Sequence, residues 1–241
     1  MEDGDQVLRL GIMCDSEEFL LWQKECLENL FSLSFVKPIL MIINDNSDFK
    51  KTSFWIRIKG LKWPIIFWSI YEKVFVKKIS KAFEKVGKLA ELEKTEKVNC
   101  KIRQEGRYSQ YLDAESIKKI DEHNLDFILK FGFGIIRGEI LKVPKYGIWS
   151  FHHGDAEKYR GLPPGFWEIY NNEPFTGVML QRLTEKLDSG IVLKKGKFET
   201  KNRSFLKNLD NIIMQTVSWP AEVCKDINRR GSLHINNEPL K

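Results

Sequence analysis

Short apolar runs, separated by longer segments with helical spacing, are the feature that most constrains the fold of this chain. Residues 39–43 form a continuous apolar run that ends at Asn44-Asp45-Asn46, and residues 8–13 and 125–129 are mainly apolar segments, interrupted by Arg9 and Asp126, that also predict strands. Uninterrupted runs of this length are typical of strands that are buried on both faces of a parallel sheet. Because such strands alternate here with helical patterns, they predict an α/β fold, an open, mostly parallel twisted sheet with helices on both faces.

Helix signals lie between these runs. Asp15 or Ser16 is predicted to cap a helix that follows the first strand, since short polar side chains accept hydrogen bonds from the first amides of a helix. Asp113 is predicted to cap a second helix over residues 114–123, with Ser116 facing outward. The other predicted elements are strands over residues 98–102, 146–151, 176–182 and 190–198 and a helix over residues 203–229.

Composition narrows the class of protein. Apolar residues make up 42% and charged residues 30%, as in ordinary folded proteins, and no repeat or low-complexity linker divides the chain. We therefore expect residues 1–241 to form a single domain. No apolar run is long enough to span a membrane, and the acidic start lacks the features of a signal peptide, so a cytoplasmic location is expected. The four cysteines are widely scattered, which predicts reduced structural thiols and no metal site.

Residues 54–76 are rich in aromatic and basic side chains. One interpretation is a helical layer whose lysines extend from an apolar surface into water. The other is a surface that makes peripheral contact with an anionic membrane or a large substrate. Nucleic acid is not an expected partner, since a charged run alone is weak support for it.

Several common binding motifs are absent. A dinucleotide site needs a glycine-rich turn after the first strand, so that backbone amides can approach the phosphates. The corresponding turn here, residues 14–18, has no glycine and carries three carboxylates. This composition predicts that a phosphate is disfavoured at that position.

Candidate catalytic residues occur near the middle of the chain. Ser150 and His152 are two residues apart on a predicted strand, so their side chains share a face, whereas His153 points to the other face if the strand continues to it. Asp188 lies in a predicted turn between two strands. A histidine with a nearby carboxylate can take up and release a proton near neutral pH. The alternative is purely structural, with the histidine ending a strand and the aspartate forming a turn.

Four short motifs follow one another along the chain: Ser150-Phe151-His152, Tyr159-Arg160-Gly161, Thr176-Gly177-Val178 and Leu187-Asp188-Ser189-Gly190. In order and spacing they resemble the catalytic core of the 10-formyltetrahydrofolate-dependent formyltransferases, in which Asn-x-His, Tyr/Phe-Arg-Gly, Thr-Gly-Val and Leu-Asp-x-Gly occur in this order.

The resemblance implies a formyltransferase-like variant of the Rossmann fold, a donor and roles for named residues. The donor is 10-formyltetrahydrofolate, and the loop formed by Phe133, Gly134, Ile135 and Ile136 resembles the one that reads its pterin ring. His152 is implied to act as general acid and base, oriented by Asp188. The implied substrate-binding residues are His153, Tyr159, Arg160 and Gly161.

Three departures from the family pattern bear on the activity. Ser150 replaces the asparagine whose amide helps to hold the negative charge on the formyl oxygen. Asp155 and Glu157 replace apolar residues, and the glycine-rich phosphate loop of the glycinamide ribonucleotide enzymes is missing. Since no tRNA-binding domain is expected beyond residue 241, a small amine, most simply an amino sugar, is the expected acceptor. The alternatives are an enzyme that no longer uses folate or acts as a hydrolase, and a non-catalytic, membrane-peripheral binding protein.

Overall fold

The computed structural model describes residues 7–45, 79–106, 109–155, 157–159, 163–185 and 190–233. Segment 54–76 and three predicted site residues, Arg160, Gly161 and Asp188, lie outside the described residues. The elements in chain order are β1 (Leu8–Cys14), β2 (Phe19–Leu20), α1 (Leu21–Phe31), β3 (Val36–Asn44), β4 (Lys85–Gly87), β5 (Glu96–Cys100), β6 (Ile102–Glu105), β7 (Ser109–Leu112), α2 (Ala114–Asp121), β8 (Phe127–Lys130), β9 (Ile135–Arg137), β10 (Ile148–His153), α3 (Phe166–Tyr170), β11 (Phe175–Arg182), β12 (Ile191–Glu199), α4 (Phe205–Met214) and α5 (Trp219–Arg230).

A seven-stranded sheet forms the centre of the described structure, in the order β12-β11-β10-β8-β1-β3-β5. The five strands β10, β8, β1, β3 and β5 are parallel to one another, whereas β11 is antiparallel to both β10 and β12. The predicted α/β class and the mostly parallel sheet are confirmed. Because β8, β1 and β10 are central and parallel, their carboxyl ends meet at one edge, where open α/β sheets place their ligands.

Two apolar cores cover the two faces of this sheet. One core joins α1, α4 and α5 to residues such as Phe127 and Trp149. The other joins α2 and the short 3₁₀ helix at residues 139–142 to residues such as Ile128 and Ile148. Side chains alternate between the two cores along β8 and β10, as the period of a strand requires. Of the described helices, none is long and apolar enough to cross a bilayer.

Four expectations about the elements were wrong. The first helix begins at Leu21 rather than near Asp15 or Ser16, because β2 comes first and the Leu20 amide donates to Gln23 at 2.9 Å. The predicted strand over residues 98–102 is divided between β5 and β6. The predicted helix over residues 203–229 is divided between α4 and α5, since Pro220 starts a new helix rather than continuing one. Ser116 is buried instead of outward, although Asp113 does cap α2 by accepting from the Ser116 amide at 3.0 Å.

Candidate active site

Strand β10 brings Ser150 and His152 to the carboxyl edge of the sheet. Both are half-buried and lie on the face of the sheet that α2 covers. Their Cα partners on β11 are Gln181 and Met179. Gly190, the first described residue after Asp188, packs so closely on Gln181 that a Cβ there would lie 2.2 Å from its Oε1. A side chain at Gly190 would have to displace the end of the Gln181 side chain and would meet the Arg182 carbonyl oxygen at 3.0 Å, so the glycine of the fourth motif favours close packing beside the partner of Ser150.

His153 lies on the opposite face from His152, because β10 continues through it. Its ring is stacked on Phe151, with centroids 5.4 Å apart, and meets Trp22 edge-on at 5.9 Å. Nε2 of His153 is buried without a hydrogen-bond partner among the described residues. Burial, together with the neighbouring His152, lowers the pKa of His153 to about 3. These surroundings give its ring a packing role between β10 and α1, while a contact with substrate stays a prediction.

His153 is expected to make the stability of the protein depend on pH. Its pKa falls from 6.5 to about 3 on folding, so between these values the unfolded state binds a proton that the native state does not. Stability is therefore complete above pH 6.5 and lost as the pH falls towards 3. At pH 5 we expect the free energy of unfolding to be lower by about 2 kcal/mol on this account. Urea unfolding at pH 7 and pH 5 measures the difference.

The matched control is His153→Phe, which keeps an aromatic ring against Phe151 but cannot titrate. This variant is expected to lose about 2 kcal/mol less than the wild type between pH 7 and pH 5, since all other titratable groups are common to both proteins. Equal losses in the two proteins would show that His153 is not the responsible group.

The loop after β8 is held rigidly at the end of β1. The Phe133 amide donates to Asp15 Oδ1 at 2.9 Å, and the Gly134 amide donates to Gln110 Oε1 at 2.6 Å. Gly132 lies so close to Asp15 that a Cβ would be 2.6 Å from the Asp15 amide nitrogen. Phe133 has φ of 64°, a left-handed conformation that is uncommon for a bulky residue and is found most often at functional sites. Asp15, expected from the sequence to cap a helix, instead organises the predicted cofactor loop.

The chain after β10 turns back over the sheet and is anchored by a buried carboxylate. Glu168, only 1% exposed, accepts from the Asp155 amide at 2.8 Å, and burial raises its pKa. The Tyr159 hydroxyl donates to Glu173 at 3.0 Å, and Glu157 pairs with Lys195 at 3.6 Å. Tyr159 thus has a clear role in closing the loop, and its contact with substrate stays a prediction.

The Thr-Gly-Val motif at residues 176–178 of β11 packs against the loop that follows β10. Thr176 is fully buried and bonded to Thr200 at 3.0 Å and to Asn208 at 3.2 Å. A Cβ on Gly177 would lie 3.0 Å from the Asp155 backbone, so glycine permits the loop to pack on β11. Val178 is the Cα partner of His153. The motif is therefore a structural support of the candidate site.

Lys130 is a site residue that the sequence analysis missed. It ends β8 and is the Cα partner of Ser150, so the two side chains lie on the same face of the sheet. Burial lowers the pKa of Lys130 to about 8, opposed by the negative charge of Asp15. A lysine directly after a buried apolar run is the sequence signal that could have identified it.

The turn after β1 is less negatively charged than its sequence predicts, because one of its carboxylates is paired with two lysines. Glu17 pairs with Lys88 at 2.9 Å and with Lys97 at 3.0 Å, and these three residues line a cleft between β2 and β3 that does not include His152. The two ammonium groups hold the pKa of Glu17 below its usual value. Because these ammonium groups offset the Glu17 carboxylate and α1 begins further on, this turn disfavours a phosphate less than its sequence predicts.

Comparison with known proteins relates this architecture to formyl-transferring enzymes. No protein-family model matches the chain. A methionyl-tRNA formyltransferase of Clostridium tetani is 34% identical over 105 residues, which are 43% of this chain and 34% of that protein. The bifunctional polymyxin resistance protein ArnA of Wigglesworthia glossinidia brevipalpis is 36% identical over 85 residues, 35% of this chain and 13% of that protein. Over these segments the chain is similar to formyltransferases. It spans about a third, or less, of the length of these curated relatives.

Solved structures of formyltransferases and deformylases share the fold. A formyltetrahydrofolate deformylase from Pseudomonas syringae superposes with a TM-score of 0.58 at 10% identity, over 99% of this chain and 66% of that one. A phosphoribosylglycinamide formyltransferase from Anaplasma phagocytophilum gives 0.57 at 16% identity, over 97% and 96%. A sugar N-formyltransferase from Shewanella gives 0.54 at 12% identity, over 96% and 74%. At these identities the likeness extends to the fold alone.

Proposed function

We propose that this protein transfers a formyl group from 10-formyltetrahydrofolate to a small primary amine. The observation that carries the proposal is the placement of Ser150 and His152 on one face at the carboxyl edge of the sheet, beside the rigid loop at residues 131–134. The relation to methionyl-tRNA formyltransferases supports the reaction class.

In the proposed reaction the acceptor nitrogen bonds to the formyl carbon and loses a proton. The bond between the formyl carbon and the donor nitrogen breaks, and that nitrogen takes up a proton. His152 is proposed to take the proton from the acceptor nitrogen and to supply one to the donor nitrogen, because an imidazole can accept and release a proton near neutral pH. Asp188 is proposed to orient His152. Negative charge grows on the formyl oxygen during attack and requires hydrogen-bond donors close by.

The residues after β8 suit a flat, polar ring. Strand β9 lies at the edge of the sheet β6-β7-β9, so its outer backbone groups have no strand partner within the described part of the chain. Alternating amides and carbonyls on such an edge match the donors and acceptors of a heteroaromatic ring. Because Asp15 and Gln110 hold the loop before β9, this edge is presented without reorganisation. Phe133, Gly134, Ile135 and Ile136 are therefore the proposed binding residues for the pterin.

We propose an amino sugar as the acceptor. Sugar N-formyltransferases share the fold, as do phosphoribosylglycinamide enzymes, so the fold alone does not select the amine. The feature that favours a hydroxyl-rich amine is the pair of carboxylates of the half-buried Asp155 and the exposed Glu157, since carboxylate oxygens accept hydrogen bonds from hydroxyl and ammonium groups. Hydrolysis is the second candidate reaction, favoured by Ser150 in place of the family's asparagine.

Calorimetric titration with a stable 10-formylfolate analogue tests the proposal. We expect micromolar binding by the wild-type protein, and at least tenfold weaker binding when residues 133–136 are replaced by a flexible glycine-serine segment. Release of tetrahydrofolate from 10-formyltetrahydrofolate is then followed with a panel of amino sugars, with hydroxylamine as a small nucleophile, and with water alone.

The outcomes separate the candidate functions. Release that depends on an added amine supports transfer, whereas equal release in water alone supports hydrolysis. No binding at millimolar concentrations of the analogue would overturn both reactions.

A further inference from the structure

Lys130 lies near the middle of the carboxyl edge of the sheet, the edge that carries Ser150 and His152. It is the last residue of β8, which lies between β1 and β10 in the sheet. Its Cα partners are Ser150 on one side and Met13 on the other. Aligned residues on neighbouring strands are about 5 Å apart and point to the same face. A lysine side chain is long enough to extend over Ser150 towards the space above the strand ends.

The ammonium group of Lys130 lacks the partner that a buried charge normally has. In the described part of the chain, Lys130 forms no ion pair and no side-chain hydrogen bond, and the charge that acts on it is that of Asp15. Asp15 interacts with it only at longer range, since the Asp15 carboxylate accepts from the Phe133 amide and from Asn44. Partly buried charges are usually paired, because removing them from water costs free energy. An unpaired ammonium group at the carboxyl edge of the sheet therefore points to a ligand that accepts a hydrogen bond from it.

We propose that the Lys130 ammonium donates a hydrogen bond to the formyl oxygen as negative charge develops there. This inference rests on the proposed formyl transfer. The serine side chain at position 150 is shorter than the asparagine that it replaces, so its hydroxyl reaches less far than the asparagine amide. Lys130 supplies a second donor from the neighbouring strand. Hydrogen bonds from charged donors are about twice as strong as neutral ones. In this proposal, the Ser150 hydroxyl on β10 and the Lys130 ammonium on β8 together donate the hydrogen bonds that the asparagine amide would supply.

Lys130→Met is the first test, with 10-formyltetrahydrofolate and hydroxylamine as the substrates. Loss of one donor to a developing oxyanion typically lowers kcat about 10²-fold, and we expect a loss of this size with little change in KM. Lys130→Arg keeps a charged donor and should retain more activity than the methionine variant. Lys119→Met removes an exposed lysine of α2 and should leave kcat unchanged.

The second test is rescue by the family's own residue. Ser150→Asn in the Lys130→Met background should restore kcat at least tenfold, because the amide replaces the lost donor. The calorimetric affinity for the 10-formylfolate analogue and the free energy of unfolding should stay close to wild type in Lys130→Met. A residue that only supports the fold would lower both and would not be rescued.

Distinct outcomes separate the two proposals. Wild-type kcat in Lys130→Met, or a raised KM for hydroxylamine at unchanged kcat, would overturn the role of Lys130 while leaving formyl transfer intact. Absence of transfer by the wild-type protein would overturn the reaction itself and with it the role of Lys130.

Discussion

Replacing His152 with alanine is expected to lower kcat for formyl transfer about 10²–10⁴-fold, the range typical of losing a general acid and base. His152 is the only histidine of the described residues at the carboxyl edge on the face that carries Ser150 and Lys130. Without it, the proton from the acceptor nitrogen has no nearby imidazole to receive it. Single-turnover measurements of transfer to hydroxylamine determine the loss of rate independently of product release.

The neighbouring histidine provides the control. His153→Phe changes the next residue of the same strand, but on the opposite face, so any loss of kcat at pH 7 should be far smaller than in His152→Ala. Calorimetric binding of the 10-formylfolate analogue should survive in His152→Ala, which separates a chemical role from a binding role. A kcat for His152→Ala close to that of the wild type would remove His152 from the mechanism.

Replacing Trp149 with alanine is expected to lower the free energy of unfolding by about 3–5 kcal/mol. Its side chain is fully buried, stacked on Phe127 with centroids 4.2 Å apart, and its Nε1 donates to the Tyr146 carbonyl at 3.0 Å. The substitution leaves a cavity in the core between the sheet and the helices α1, α4 and α5, and it removes the partner of that carbonyl. Urea unfolding followed by circular dichroism measures the change.

Two further variants make this measurement interpretable. Trp149→Phe keeps an aromatic ring and should cost less than the alanine variant, which gives a measurable value if the latter does not fold. Trp167→Ala removes a tryptophan that is 38% exposed and should cost about 1 kcal/mol or less. Similar losses for Trp149→Ala and Trp167→Ala would contradict the assigned packing of the core.

The strands could be predicted more securely than the ends of the helices. Residues 39–43 and 125–129 lie largely within β3 and β8, because long apolar runs have no stable alternative to burial. The start of α1 was misplaced, since Asp15 satisfies the distant Phe133 amide rather than a helix end. The break before Pro220 carries a local signal, yet the apolar periodicity across it resembles one long helix.

The candidate site shows the same division. Ser150 and His152 could be placed on one face from their spacing alone, because side chains alternate along a strand. Lys130 could not be placed beside them, since its pairing with Ser150 depends on β8 and β10 being neighbours. The role of Glu168 was equally hidden, because its partner, the Asp155 amide, belongs to a different loop.

What the sequence by itself determined is the class of fold, the motif order and the face of β10 that Ser150 and His152 share, since each follows from local periodicity or from spacing along the chain. Only the tertiary structure decided that Lys130 stands beside Ser150, that His153 faces the core and that Asp15 holds the loop at residues 131–134. These facts depend on strand order and on the continuation of β10. Strand order is set by how the two apolar cores pack as a whole, which no short segment encodes.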